Sequence, residues 1–261
     1  MSMKNRHVLR EAVRHLILII LALYTLAPLL FLFVNAFKSN NEIIASPVAL
    51  PEHWTLQYIK TAMEAINFGK ALGLTFIITF FSILLLVIVS SFAAWAMVRS
   101  KTILSNIVFL CFTAAMLVPF QSLMYPLLSV FEKMGLKNVQ GLILMYGGFG
   151  LSMSVFLYHG FIKSVPASLE EAAVLDGANL FQMFFKVVFP LLKGTTVTVI
   201  VLNGMWIWND YLLPFLVIGN KTGSKTLTLE LYFAKLTSGQ YGNPWELIFP
   251  AVFVTIIPII I

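Results

Sequence analysis

"SLEEAAVLDGANLFQMFFKVVFP", residues 168–190, places a compact acidic and alanine-rich elbow between two long apolar runs. Its start is marked twice. Pro166 suits the first turn of a helix, where a missing N–H costs nothing, and Ser168 with Glu171 stand in the S-x-x-E capping relation. Either predicts a helix beginning between residues 165 and 169. Ala172 and Ala173 sustain it, and Asp176-Gly177 permits a sharp change of direction. Leu180, Phe181, Phe184, Val187 and Val188 then fall at helical spacing, and Pro190 punctuates the run. The stretch reads as a short helix, a glycine bend and a second short helix. Two purposes fit this pattern equally. It is a hairpin lying on a membrane surface with its acids in water, or it is a docking knob. For a knob, small residues at 172, 173 and 177 allow close approach, and Glu170, Glu171 and Asp176 offer partners for arginines.

The chain around the elbow is too apolar for a soluble domain. Of 261 residues, 59% are hydrophobic and 11% charged, with a mean hydropathy of +0.91; soluble domains carry about 25% charged residues. Uncharged runs cover Leu16–Phe37, Ala71–Val98, Thr102–Phe131, Asn138–Ile162, Gly194–Asn209 (continuing past Asp210 over Tyr211–Asn220) and Leu247–Ile261. Runs above ~18 residues read as membrane spans. The expected fold is an all-α integral membrane protein with six transmembrane helices, because a segment in lipid must satisfy its own backbone. Barrel strands would be shorter and would alternate. The first run is longer than a signal-peptide core and ends in "NAFKSNNEI" rather than a small-x-small site, so it reads as a retained span. The last run, at ~1.5 Å per residue, falls short of a ~30 Å hydrocarbon core. Its helix is expected to start earlier, at Glu246, or to continue beyond residue 261.

Basic residues set the orientation. Lys4, Arg6, Arg10 and Arg14 precede the first span, Arg99 and Lys101 link the second to the third, and Lys163, Lys186 and Lys193 flank the elbow. With six spans and a cytoplasmic N-terminus, all of these lie inside, in short segments where the positive-inside rule operates. The elbow is then cytoplasmic. The net charge of +6 reports topology and lipid contact rather than nucleic acid. Cys111, the single cysteine, excludes an intrachain disulfide and a multi-cysteine metal cluster; it is expected to be a small buried apolar residue. Residues 38–70 form one polar connector, with Trp54 and Tyr58 suited to the membrane interface. Residues 221–245 form another, whose "TLTLELYFAKL" portion reads as a short interfacial helix.

At this point a resemblance decides between the two readings of the elbow. It resembles the cytoplasmic signature of the integral-membrane subunits of ATP-binding-cassette importers: Glu-Ala-Ala, three residues, Gly, nine residues, Ile, one residue, Leu-Pro. Here stand Glu171-Ala172-Ala173, Gly177, Val187, Phe189 and Pro190, with valine for isoleucine and phenylalanine for leucine. Within that family the chain is similar to the sugar-permease branch, in particular the second membrane subunit of maltose-type systems. The similarity runs through "SSFAAWAMVRSK" (90–101, with Trp95 where tyrosine is commoner), residues 116–146, "FIKSVPASLEEAAVLDGA" (161–178) and "MWIWNDYLLPFLV" (205–217). It departs at Gly194, where the branch often has proline, and in "KALGLTFIITF" (70–80), which lacks the usual asparagine-serine opening.

The resemblance implies a cytoplasmic N-terminal segment over 1–15 and one six-helix permease domain over 16–261, with coupling helices at about 166–189. It implies a second, different permease subunit, two cytoplasmic ATPase subunits that use ATP and Mg, an extracellular solute-binding protein and a carbohydrate substrate. It implies that this chain forms half of the translocation path in a cell membrane, is not an enzyme and binds no cofactor itself; the sequence has no G-x-x-x-x-G-K-S/T phosphate loop. Glu170, Glu171, Ala172, Ala173, Asp176, Gly177, Val187, Phe189 and Pro190 become the ATPase-coupling set. Glu171 caps its helix or pairs with a base of the ATPase, and Val187 and Phe189 pack the elbow against the spans.

For the solute path, Trp206, Trp208, Asn209 and Asp210 supply aromatic faces and planar hydrogen-bonding groups. A charge at such depth usually faces protein or a water-filled cavity. The other reading of Asp210 is that it satisfies a neighbouring helix terminus. Pro119, Gln121 and Pro126 interrupt the third span, and broken helices often line transport paths; a kink relieved by packing is the alternative. His159 reads as interfacial. Three other functions compete: the same importer architecture for a non-sugar solute, an ATP-independent secondary transporter, and a membrane scaffold. A secondary transporter calls for ionisable residues within several spans, and a scaffold needs no polar path.

Overall fold

The computed structural model describes residues 3–219, 225–238 and 244–260. Residues 220–224 and 239–243 lie outside them, all but residue 220 within the predicted second connector. Helix is the only regular structure among the described residues. The chain forms two compact units, Met1–Gly69 with Glu230–Ile261, and Lys70–Leu229.

In the first unit, α1 (Met3–Asn35) runs straight through residue 15, so the basic start and the first apolar run are one helix of 33 residues. Leu16 to Leu23 and their neighbours are mostly exposed, the condition a lipid-facing helix requires. The turn after α1 is held by side chains. Asn35 Nδ2 donates to Pro47 O at 2.9 Å, and the ammonium of Lys38, only 1% exposed, donates to Ser46 O at 2.9 Å. Ser39 opens α2 (Asn40–Ala45) with a reciprocal Ser39/Glu42 capping box. Ala62 of α3 (Gln57–Ala65), with Ile66 just beyond it, packs on Ala251 and Val254 of α14 (Trp245–Ile260). Asn40 N–H donates to Glu246 and Trp245 N–H to Asn40 Oδ1, which ties the starts of α2 and α14 together.

The second unit begins inside α4 (Phe68–Ser100). The hydroxyls of Thr75, Ser90 and Ser91 donate back to the carbonyls of Ala71, Leu86 and Val87, which satisfies them without water. Thr102 caps α5 (Ile103–Ala115), and after a turn at 116–118 the chain continues as α6 (Phe120–Lys133). The two helices meet at 106°. The expected third span is therefore not a straight rod. The break falls at Pro119, which stands at the N-cap of α6, while Pro126 lies inside α6 without dividing it. α7 (Val139–Ile162) is capped by Asn138.

Then come α8 (Ser168–Leu175), α9 (Leu180–Gln182), a π-helical stretch (Met183–Val188), α10 (Phe189–Leu191), α11 (Lys193–Asn209) and α12 (Leu212–Val217). The predicted interfacial helix is α13 (Leu227–Ser238). Among the described residues, three helices are long and apolar enough to cross a membrane, or up to five if each bent pair counts as one span; α14 is apolar but shorter. Two residues differ from expectation. Cys111 is exposed on α5 rather than buried, because it lies on a side of α5 that no described residue covers. His159 is 5% exposed and stacks on Phe109 at 3.6 Å between ring centroids, so it sits inside the α5–α7 packing rather than at an interface.

Candidate functional site

The elbow forms as helix, bend and helix, but its caps fall elsewhere than the spacing suggests. α8 starts at Ser168 with Ala167 in the N-cap position and no side-chain cap, so neither Ser168 nor Glu171 closes a capping box. The reason is that Ala167 already has helical backbone angles and its carbonyl accepts from Glu171 N–H at 3.0 Å, which pulls Ser168 into the helix proper. The real capping box belongs to Asn179 and Gln182 at the start of α9. Between them Gly177 adopts φ +82°, the left-handed conformation that glycine tolerates.

The elbow residues divide by direction. Glu171, Ala172, Asp176, Gly177 and Pro190 are exposed, whereas Glu170 and Ala173 are each 8% exposed. Exposed with the first group are apolar side chains the sequence reading did not single out for this purpose, Leu175 (88%) and Phe181 (65%). Val187 and Phe189 are half-buried, and Phe189 packs against the core as expected, its ring 5.9 Å from that of Phe184. The true anchors of the second leg are Phe184 and Val188, fully buried among Trp95, Val155, Tyr158, Ile162 and Val199. The stretch between them is a π-turn: Phe189 N–H donates to Phe184 O, one residue further back than in an α-helix.

Glu170 does not face outward with the other acids. Its carboxylate accepts from Trp95 Nε1 at 3.0 Å and from Arg99 Nε at 2.8 Å.

The second candidate region lies at the other end of α11. Asp210 ends that helix and begins the next: Leu212 N–H donates to Oδ1 at 2.9 Å and Leu213 N–H to Oδ2 at 3.4 Å. Tyr146 OH donates to Oδ2 at 2.9 Å, and Thr228 Oγ1 to the Asp210 carbonyl at 2.8 Å. The geometry is that of a cap, the helix-terminus alternative left open by the sequence. Asn209 is exposed and donates to Met205 O at 2.7 Å. The Trp208 indole nitrogen is buried with no hydrogen-bond partner among the described residues.

A cleft of about 340 Å³ opens between the α5–α6 break, α7 and α11. Trp206 lines it, as do Val118 and Phe120 on either side of Pro119; Gln121, Asn209 and Asp210 do not. Its buried polar group is Asn203, whose Nδ2 donates to Ser154 Oγ at 3.1 Å and to Val199 O at 2.9 Å. Gly150 makes room for it: a Cβ there would lie 2.6 Å from Asn203 Oδ1. Asn203 was legible as a lone amide in an apolar run, but nothing in the run marked which way it faced.

Known proteins are similar to this chain in sequence and in fold. Residues 86–261 match the family described as "Binding-protein-dependent transport system inner membrane component". The chain is 44% identical over 93% of its length, and 87% of the other's, to the "Probable starch degradation products transport system permease protein AmyC" of Thermoanaerobacterium thermosulfurigenes. It is 33% identical over 99% of its length, and 93% of the other's, to the "Multiple sugar-binding transport system permease protein MsmG" of Streptococcus mutans. Its fold superposes with a TM-score of 0.79 and 22% identity on a chain of a bacterial ABC transporter involved in the import of the acidic polysaccharide alginate, covering all of this chain and 95% of that one.

Proposed function

Because the chain belongs to the family of binding-protein-dependent transport system inner membrane components, we propose that it is a permease subunit of an ATP-driven importer of a carbohydrate, and that the 166–190 elbow is its contact with the ATPase. One observation supports this most directly. The bend at Gly177 carries exposed Glu171 and Asp176 beside exposed Leu175 and Phe181. Large apolar side chains grouped with acids at an exposed turn suit a protein partner better than water. In this reading the chain pairs with a second permease subunit, two cytoplasmic ATPase subunits below and a solute-binding protein above. Its N-terminus is cytoplasmic, and ATP and Mg are used by the ATPases alone. Closure of the ATPases moves the elbow and rocks the spans between two access states, a rigid-body switch.

Carbohydrate is favoured over other cargo by the relatives named for starch degradation products and for multiple sugars. The cleft adds aromatic faces (Trp206, Phe120, Phe149) beside the Asn203 amide and Ser152, groups suited to a sugar ring. The test is purification of the intact complex and measurement of its ATPase with candidate solutes and the binding protein. Stimulation by an oligosaccharide is expected. A complex without an ATPase subunit, or one stimulated only by amino acids or peptides, overturns the proposal.

A further inference from the structure

Glu170 immediately precedes the Glu-Ala-Ala triplet, yet its carboxylate turns into the protein and both oxygens are taken. Trp95 Nε1 donates to Oε2 at 3.0 Å; Arg99 holds Oε1 through Nε at 2.8 Å and Nη2 at 2.7 Å. The same Nη2 donates to Val165 O at 3.0 Å, in the turn that leads from α7 into α8. Trp95 and Arg99 lie near the C-terminal end of α4, a helix of 33 residues. The Trp95 ring also packs on Phe184 of the π-turn, 5.3 Å between centroids. One short segment of α4 therefore grips both legs of the elbow.

Charge-assisted hydrogen bonds between desolvated groups are short and directional, and separating such a pair leaves a buried charge unmatched. A surface hairpin yields when pushed; this one cannot shift against α4 without opening the pair. We propose that Trp95, Arg99 and Glu170 are positioning residues that form a transmission clamp, through which displacement of the elbow is passed to α4. The clamp rests on the reading of the elbow as the ATPase contact, and it takes Glu170 out of that contact.

The test uses the assembled importer in proteoliposomes, with uptake and ATP hydrolysis measured on one preparation. Glu170→Gln keeps the shape and one acceptor but removes the charge. ATP hydrolysed per solute moved is expected to rise about tenfold, the size of an ordinary coupling between sites. Arg99→Gln behaves alike, and the double variant is no worse than either single one, because the two act as a unit. Arg99→Lys recovers part of the coupling, since lysine restores the charge without the fork. Trp95→Phe, which keeps the packing and loses one donor, has a smaller effect of the same sign. The ratio counts only folded complexes, because unfolded ones neither hydrolyse nor transport. If Arg99→Gln yields no complex, Glu170→Gln and Trp95→Phe decide. A wild-type ratio in those two, or losses that add in the double variant, overturns the clamp. Glu171→Gln separates the two levels: if it releases the ATPase while Glu170→Gln couples normally, the elbow contact stands and the clamp fails. If Glu171→Gln and Gly177→Leu both leave assembly and coupling intact, the elbow contact itself fails.

Discussion

The elbow and the break after α11 present the same sequence problem, acids set into apolar runs, and they solve it differently. At the break, the chain itself absorbs the whole acid: both oxygens of Asp210 accept from the backbone of α12, and one also accepts from Tyr146. At the elbow, only Glu170 is absorbed in this way. Glu171 and Asp176, one position after Glu170 and at the bend, stay exposed beside Leu175. An acid in a greasy run is thus not by itself a mark of function. In the proposed reading, the acids that meet a partner are the exposed ones, Glu171 and Asp176.

Replacing Gly177 tests this contrast most severely. A leucine there must hold φ +82°, at about 1–2 kcal/mol for an L-residue. Nothing lies within 4 Å of the added Cβ, so the complex should assemble its helices. We expect uptake to fall by more than tenfold while ATP hydrolysis persists, since a misdirected lever loses coupling rather than chemistry. Normal coupled uptake would erase the difference between the two regions. Asp210→Ala should do the opposite. It removes the acceptor for two backbone N–H groups and for Tyr146, and we expect a loss of about 2 kcal/mol in stability in detergent with an unchanged ratio of ATP to solute. A selective loss of uptake in complexes that melt normally would return Asp210 to the solute path.

What the sequence disclosed follows the same division. Local chemistry was readable in part: the bend at Gly177 and the interruption near Pro119, with a helix terminus at Asp210 as one of two readings. Each depends on the backbone limits of one or two residues. Direction was not readable. α8 spans only Ser168–Leu175, too short to show a phase, and the partner that turns Glu170 inward stands 71 positions earlier. The π-turn was hidden because Phe184, Val187 and Val188 satisfy an ordinary helical count, and only the packed structure shows that Phe184 and Val188 are the buried ones. The capping box was expected at Ser168 and found at Asn179, since a residue that is itself helical no longer offers its side chain as a cap. The family resemblance carried the coupling set as a block, and it is the geometry that divides the block into inward and outward members.

A third acid sharpens the comparison at low amplitude. Glu42 closes the capping box of α2 and accepts from the Glu52 N–H at 3.0 Å, so it repeats the capping role of Asp210 at a half-buried position of the first connector. Hydrogen bonds from the Ser39 backbone, then from the Glu52 backbone and the Ser39 hydroxyl, hold its carboxyl below the ordinary value of 4.5 against a small opposing effect of burial, and Lys38 adds to the lowering. An acid with a depressed folded pKa contributes stability that is fully present above its unfolded value and is lost as pH falls through the folded one. The amides of Ser39 and Glu52 should therefore keep their hydrogen-exchange protection from neutral pH down to about 4.5 and lose it below, and Glu42→Gln should flatten that profile. Protection that survives acid unchanged would mean that the packing of α2, and not the carboxylate, holds the connector.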